Sequence, residues 1–163
     1  MPPADPDLHH AEAGAQLRAF VDQHRALLAA SLDGLDEEEA RARLVPSRTT
    51  LLGLVKHATF VEKVWFVQAV TGASRAAIGI PEHPDESFVL TQDDTIASVL
   101  ADYADAVRAS RRAIESLDLD HTLPGNRRGP LPLRWVLMHV LRELAQHCGH
   151  ADILREQILA RRP

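Results

Sequence analysis

The stretch "LRWVLMHVLRELAQHCGHADILREQI", Leu133 to Ile158, carries the pattern that sets the fold. Val136, Leu137, Val140, Leu144, Ala151, Leu154 and Ile158 recur at the spacing of an amphipathic α-helix, so one long helix is predicted from near Pro130 to Leu133 onward. Proline is tolerated in such a first turn, where its missing N–H would lack a partner anyway. Gly149 interrupts the helix at a cost of about 1 kcal/mol relative to alanine, which asks for a packing or site reason. The same stretch sets Glu143, His147 and His150 close together, and at about 100° per residue all three can face the interior.

Three further windows show apolar residues at helical spacing. Leu17, Phe20, Val21, Leu27, Leu28 and Leu32 define the first helix, which "DGL" breaks. The acidic "DEEEARARL" reads as a short helix capped by Asp36 and closed by Val45-Pro46. A second long helix starts after Ser47, carries Leu51, Leu54, Val55, Ala58, Val61, Val64 and Trp65 on one face, and ends at Thr71-Gly72. From there to Asp94 the chain is rich in Pro, Gly and Asp and too long for a tight turn, so it is expected to be a surface connection crossing the bundle. The third helix carries Ile96, Val99, Leu100, Tyr103, Val107, Ile114 and Leu117, and "LDLDHTLPGNRRGPLP" connects it to the last. Internal repeats and strand-like alternation are absent, so the reading is all-α: a four-helix bundle with a long crossover connection, one domain over residues 1–163 with residues 1–10 as a flexible N-terminus.

Composition narrows the function classes. A balance of 45% hydrophobic and 25% charged residues suits one soluble core. The net charge is -5 and the basic residues form no run longer than a pair, such as Arg127-Arg128 with Arg134 nearby, which argues against a nucleic-acid partner. "MPPADPDLHHAEAG" has no charged and then apolar leader and no apolar run approaches a membrane span, so a cytoplasmic protein without a membrane partner is expected. Cys148 is the single cysteine, so any metal is expected to be held by nitrogen and oxygen. Arginine far outnumbers lysine, present only as Lys56 and Lys63, and alanine and leucine abound, a bias of high-GC bacterial genomes.

Glu143 and His147 stand at i and i+4, where Cβ atoms about 5–6 Å apart let a carboxylate oxygen and an imidazole nitrogen converge on one cation. A third ligand has to come from a neighbouring helix, and His57, flanked by Leu54, Val61 and Val64, is the candidate. A His, Glu, His set leaves open positions for water or a thiolate, the arrangement of a catalytic metal. The alternative is that Glu143 and His147 share a core hydrogen bond and His57 is a second satisfied histidine. A buried carboxylate without a strong partner is costly, and a divalent ion is the better partner.

His150 is read as a residue that orients a ligand or substrate, or as an alternative ligand. His139 reads as a half-exposed helix histidine, and His9, His10, His24, His83 and His121 receive no chemistry. Cys148 points about 100° away from His147 and reads as an ordinary packed thiol. Trp65 and Trp135 read as packing residues that could wall a pocket. Arg127, Arg128 and Arg134 could receive a carboxylate-bearing substrate or cofactor, with a solvated loop as the alternative.

"LLGLVKHATFVEKVWF" together with the Leu133 to Ile158 stretch resembles the DinB-like superfamily of four-helix bundles, in the branch long known as a domain of unknown function. Members hold a divalent metal with one histidine of the second helix and an HxxxH pair on the last helix, its second histidine often opening "HRGQ". His57 matches the first ligand, "HCGH" from His147 matches that stretch, and Gly149 and His150 fall on the family glycine and glutamine. Glu143 departs from the pair's first histidine, yet a similar His, Glu, His set serves the mycothiol-dependent maleylpyruvate isomerases of the superfamily.

The resemblance implies a zinc-type site, with nickel, iron or manganese as alternatives, at which mycothiol or bacillithiol is held as thiolate and attacks or isomerises an electrophile. High-GC composition tilts the thiol toward mycothiol. The expected protein is therefore a metal-dependent S-transferase or isomerase acting on a small molecule. Two rivals stand beside it: a non-catalytic metal-binding or homodimerising bundle, and a metal-dependent hydrolase of a small ester or amide.

Overall fold

A computed structural model describes residues 6–162. Its helices begin where side chains cap them. Helix α1 (Ala13–Ala30) is followed by the short α2 (Glu37–Ala40), where Asp36 accepts from the Glu39 N–H at 2.8 Å and the Glu39 carboxylate accepts in return from the Asp36 N–H at 3.0 Å. Helix α3 (Leu51–Glu62) starts at Thr50, whose hydroxyl accepts from the Gly53 N–H. It runs on through a π-helical turn, Lys63–Gln68, into α4 (Ala69–Thr71), which Gly72 ends at φ +68°. Helix α5 (Ile96–Ile114) is capped by Thr95, and α6 (Leu133–Leu159) follows Pro132.

The four long elements form the expected all-α bundle of the DinB-like type. Helix α1 packs along α6, α3 packs along α5, and α3 also meets α6 and α1. Leu28, Leu52, Leu54, Phe66, Leu133, Leu137 and Leu144 are buried at the centre. Arg155 donates to the carbonyls of Ser31 and Asp33, and Arg162 to Glu39 and the Gly34 carbonyl, so the last turns of α6 are clipped to the α1–α2 corner.

One charged pair lies inside. Arg25 donates to both oxygens of Glu62, at 2.8 and 2.6 Å, and to Asp22 at 2.8 Å. Glu62 is fully buried and Arg25 nearly so. The guanidinium also lies over the Phe66 ring at 5.4 Å.

The structure departs from the sequence reading in four places. Residues 1–5 lie outside the described residues, but Pro6–His10, expected to belong to a flexible end, forms a 3-10 turn whose Leu8 and His9 carbonyls accept from the Gln16 side chain. The last connection contains a two-residue antiparallel ladder, β1 (Thr122–Leu123) with β2 (Leu131–Pro132), pairing Leu123 with Leu131. The π turn is unmarked in sequence, with neither glycine nor proline in it. Gly149 has no packing reason, because a Cβ built there meets nothing within 4 Å.

Two contacts aim the connections at one face. The Gly125 N–H donates to the Ala69 carbonyl at 2.8 Å, and a Cβ at Gly125 would come within 2.5 Å of Gly72 N, so the loop carrying Asn126 to Arg128 rests directly on the end of α4. The 3-10 turn Pro84–Phe88 packs against α3 and sets Ser87 and Phe88 over His57.

Glu62→Ala leaves the buried Arg25 with only the part-exposed Asp22 as partner and is expected to lower unfolding free energy by up to about 3–5 kcal/mol. Gly149→Ala, which meets no obstacle, is expected to raise it by about 0.5–1 kcal/mol. Urea midpoints of the two variants against wild type check both signs.

Candidate metal centre

The three ligand candidates meet. His57 on α3 brings its Nε2 to 3.6 Å from Glu143 Oε1, and His147 Nε2 stands 4.0 Å from the same oxygen. All three donor atoms lie within 4.8 Å of one another. These distances are too long for hydrogen bonds, so the shared core hydrogen bond between Glu143 and His147 is not made. They lie just above the roughly 3.3 Å that separates two ligands of a tetrahedral ion with bonds near 2.0–2.1 Å.

The outward atoms of the set are fixed by neighbours. Ser87 Oγ donates its only hydrogen to the Pro84 carbonyl, so it accepts from His57 Nδ1 at 2.7 Å. That places a proton on His57 Nδ1 and turns Nε2 toward Glu143. Phe88 stacks on the same ring with centroids 4.0 Å apart.

His139 does the equivalent for the carboxylate. Arg142 can only donate, so its 2.9 Å contact makes His139 Nδ1 an acceptor, and Nε2–H then donates to Glu143 Oε2 at 3.1 Å. Glu143 Oε1 is left for the two other histidines. The His139 ring is 10% exposed, stacked on Trp135 and packed against Trp65, not the half-exposed surface histidine expected. Its spacing to Glu143, i and i+4, is the same signal that picked out Glu143 and His147.

Burial works to raise the Glu143 carboxyl, but the His57 imidazole, with His139 and His147 beside it, overrides burial and holds it below the usual carboxylate range. Burial, then the neighbouring His57, pushes His147 down to about 4 against the pull of Glu143. A histidine ligand of a cation has to be unprotonated, and burial favours that form at His147. Burial also lowers His139 against the pull of Glu143, with Arg142 and Arg128 adding to the lowering.

Whether a cation fits is tested by His147. Its Nδ1 and Nε2 are both buried and neither has a hydrogen-bond partner. A ring neutral by environment, with its nitrogens unsatisfied beside a carboxylate, is the residue a divalent ion would complete. The donor set of two imidazoles and one carboxylate suits zinc, nickel, iron or manganese.

His150 is exposed and its ring lies 6.0 Å from His147. The orienting hydrogen bonds come instead from Ser87 and His139. Cys148 donates to the His24 carbonyl at 3.5 Å, and burial, with Asp152 nearby, pushes its thiol up to about 11.

The triad opens into a cavity of about 500 Å³ between α3, α6 and the two connections. Phe60, Trp65 and Phe88 give it apolar walls, and Arg127 and Arg128 reach it while Arg134 pairs with Asp120 elsewhere. Arg75, Gln68 and Arg142 also line it, which no local pattern announced. Among the described residues no helix is long and apolar enough to cross a membrane.

Fold and site together define a helical-bundle protein with a His, Glu, His centre at the floor of an aromatic, arginine-rimmed cavity. A family model described as "Mycothiol-S-transferase" matches residues 16–160, and the chain belongs to that family, within the DinB-like superfamily. No curated protein matches the chain.

In the metal-free protein His57 is expected to carry a proton on Nδ1 and His139 on Nε2. Long-range ¹⁵N–¹H correlation spectra of the imidazoles check this, and Ser87→Ala should disturb the His57 pattern while leaving that of His139 intact.

Proposed function

We propose that this protein transfers a low-molecular-weight thiol, mycothiol by family, to a small electrophile, using a divalent cation held by His57, Glu143 and His147. The observation that carries the reading is the unpartnered, buried His147 ring facing Glu143 and His57. Zinc fits the donor set best, with nickel, iron or manganese as alternatives. When bound there, a divalent cation supplies the positive charge that lowers a thiol's pKa and keeps it as thiolate at neutral pH.

The chain's own residues supply the rest. Ser87 and His139 hold two ligands in the tautomer and orientation that leave His57 Nε2 and Glu143 Oε1 free. Phe60, Trp65 and Phe88 keep water from the face where the electrophile docks. Both nitrogens of His139 are engaged, and the remaining imidazoles serve as ligands, so the cavity offers no free general base. The thiol proton therefore leaves to solvent on binding. The sulfur then forms its bond to the electrophilic carbon while the leaving group departs with the electron pair of the bond that breaks.

A cytoplasmic location belongs to the proposal, because a free thiol substrate needs a reducing compartment. The proposed partner is a small molecule, a reading supported by the size of the cavity and its aromatic walls.

The test is elemental mass spectrometry of untagged protein, paired with chloride release from a chloronitrobenzene in the presence of mycothiol. Wild type is expected to carry close to one divalent ion per chain and to release chloride with the thiol present. His147→Ala should lose both, and Ser87→Ala or His139→Phe should weaken metal affinity roughly 10–100-fold in chelator competition. Metal-free wild type that stays metal-free after loading would sink the proposal.

A further inference from the structure

The chain carries a net charge of -5, yet the wall of its cavity is cationic. Arg75, Arg127, Arg128 and Arg142 line it, and the single acid among the lining residues is Glu143, already engaged by the histidines. Arg127 is neutralised by Glu82 at 2.6 Å, and Arg142 donates to His139. Arg75 is different.

Arg75 is 8% exposed, and no carboxylate lies within ion-pair distance of it among the described residues. Its guanidinium lies over the Phe60 ring at 5.1 Å, and its Nη1 donates to the backbone carbonyl of Glu82. Its Nε is buried with no hydrogen-bond partner among the described residues. A buried cation without a counter-charge is costly, and the neighbouring Glu82 carboxylate is spoken for by Arg127. The Nε–Nη2 edge of the guanidinium, the edge that takes a carboxylate with two parallel hydrogen bonds, has no protein partner. A strap tying the 73–83 connection to α3 would need the Nη1 bond and the ring contact, not an unpaired charge inside a cavity.

We infer that Arg75 is the anchor of a carboxylate subsite, and that the small molecule taken by this cavity bears a carboxylate at the end away from the His57, Glu143, His147 centre. Arg128, exposed over Trp65 at 5.5 Å, supplies a second positive charge at the mouth. Phe60 and Trp65 between them accept an apolar or aromatic body. Naming that molecule the electrophile rests on the thiol-transfer reading, whereas the carboxylate subsite stands on Arg75 alone.

The experiment titrates the metal-free, full-length protein with benzoate and with benzamide, its uncharged isostere, by calorimetry and by the fluorescence of Trp65. Metal-free protein excludes carboxylate binding to a cation at the triad. Wild type is expected to bind benzoate at least tenfold more tightly than benzamide. Arg75→Gln should erase the preference, Arg75→Lys should keep part of it, and Arg128→Gln should weaken benzoate several-fold without touching benzamide. Melting curves show which variants fold, and Arg128→Gln, at an exposed position, tests charge dependence even if Arg75→Gln does not. Equal binding of the two probes by wild type, or a preference unchanged in folded Arg75→Gln, overturns the subsite. Benzoate binding that survives while metal and thiol transfer fail would sink the proposed function and leave the subsite standing.

Discussion

A carboxylate inside a helical bundle has to be matched, because an ion taken out of water loses more than packing returns. Two glutamates meet that constraint here in opposite ways. Glu62 is closed off: Arg25 covers both of its oxygens and α1 seals the pair from solvent. Glu143 is matched only on one side, by a histidine hydrogen bond at Oε2, and its Oε1 faces two imidazole nitrogens at distances no hydrogen bond spans. The first arrangement is self-sufficient and holds α1 to α3. The second leaves the His147 ring nitrogens without a hydrogen-bond partner among the described residues, the gap that the proposed cation would fill.

The open end is assembled from segments remote in sequence, and each arrives there for a local reason. Pro84–Phe88 closes a 3-10 turn on α3, which gives His57 its acceptor and its stacking partner. Gly125 lets the last connection lie against Gly72, which carries Arg127 and Arg128 to the rim. The π turn at Lys63–Gln68 contributes Val64, Trp65 and Gln68 to the wall, and wide turns of this kind recur at functional sites. None of these segments contributes a ligand, yet all three shape the cavity the ligands face.

This division explains what the sequence made legible. Helical periodicity reports which residues share a face, so α1, α3, α5 and α6, and with them the bundle, could be read directly. The cap at Asp36 and the glycine at 72 mark boundaries through a hydrogen bond and a φ value that particular residue types favour. Glu143 and His147 were legible for the same reason: they sit one turn apart on one stripe. His139 shares that spacing, but its burial depends on Trp65 from another helix and on Trp135, which periodicity within α6 does not report. Ser87 and Arg75 belong to a connection whose path is set by tertiary contacts, and no short-range pattern points from them to His57 or Phe60. Gly149 misled in the other direction. Its cost in a helix is real, but nothing packs where its side chain would be.

The chemistry of the one cysteine closes the argument about where sulfur enters. Cys148 directly follows a ligand candidate, a position from which a thiol could supply either a ligand or a nucleophile. The helix turns it away from His147 toward α1, where its proton meets the His24 carbonyl and burial pushes the thiol up to about 11. At neutral pH it is neither thiolate nor aimed at the cavity. The chain's own sulfur is thus protonated and faces away from the two imidazoles and the carboxylate. The thiol transfer proposed above would require that separation, since an internal thiolate within reach would occupy the position an external thiol needs.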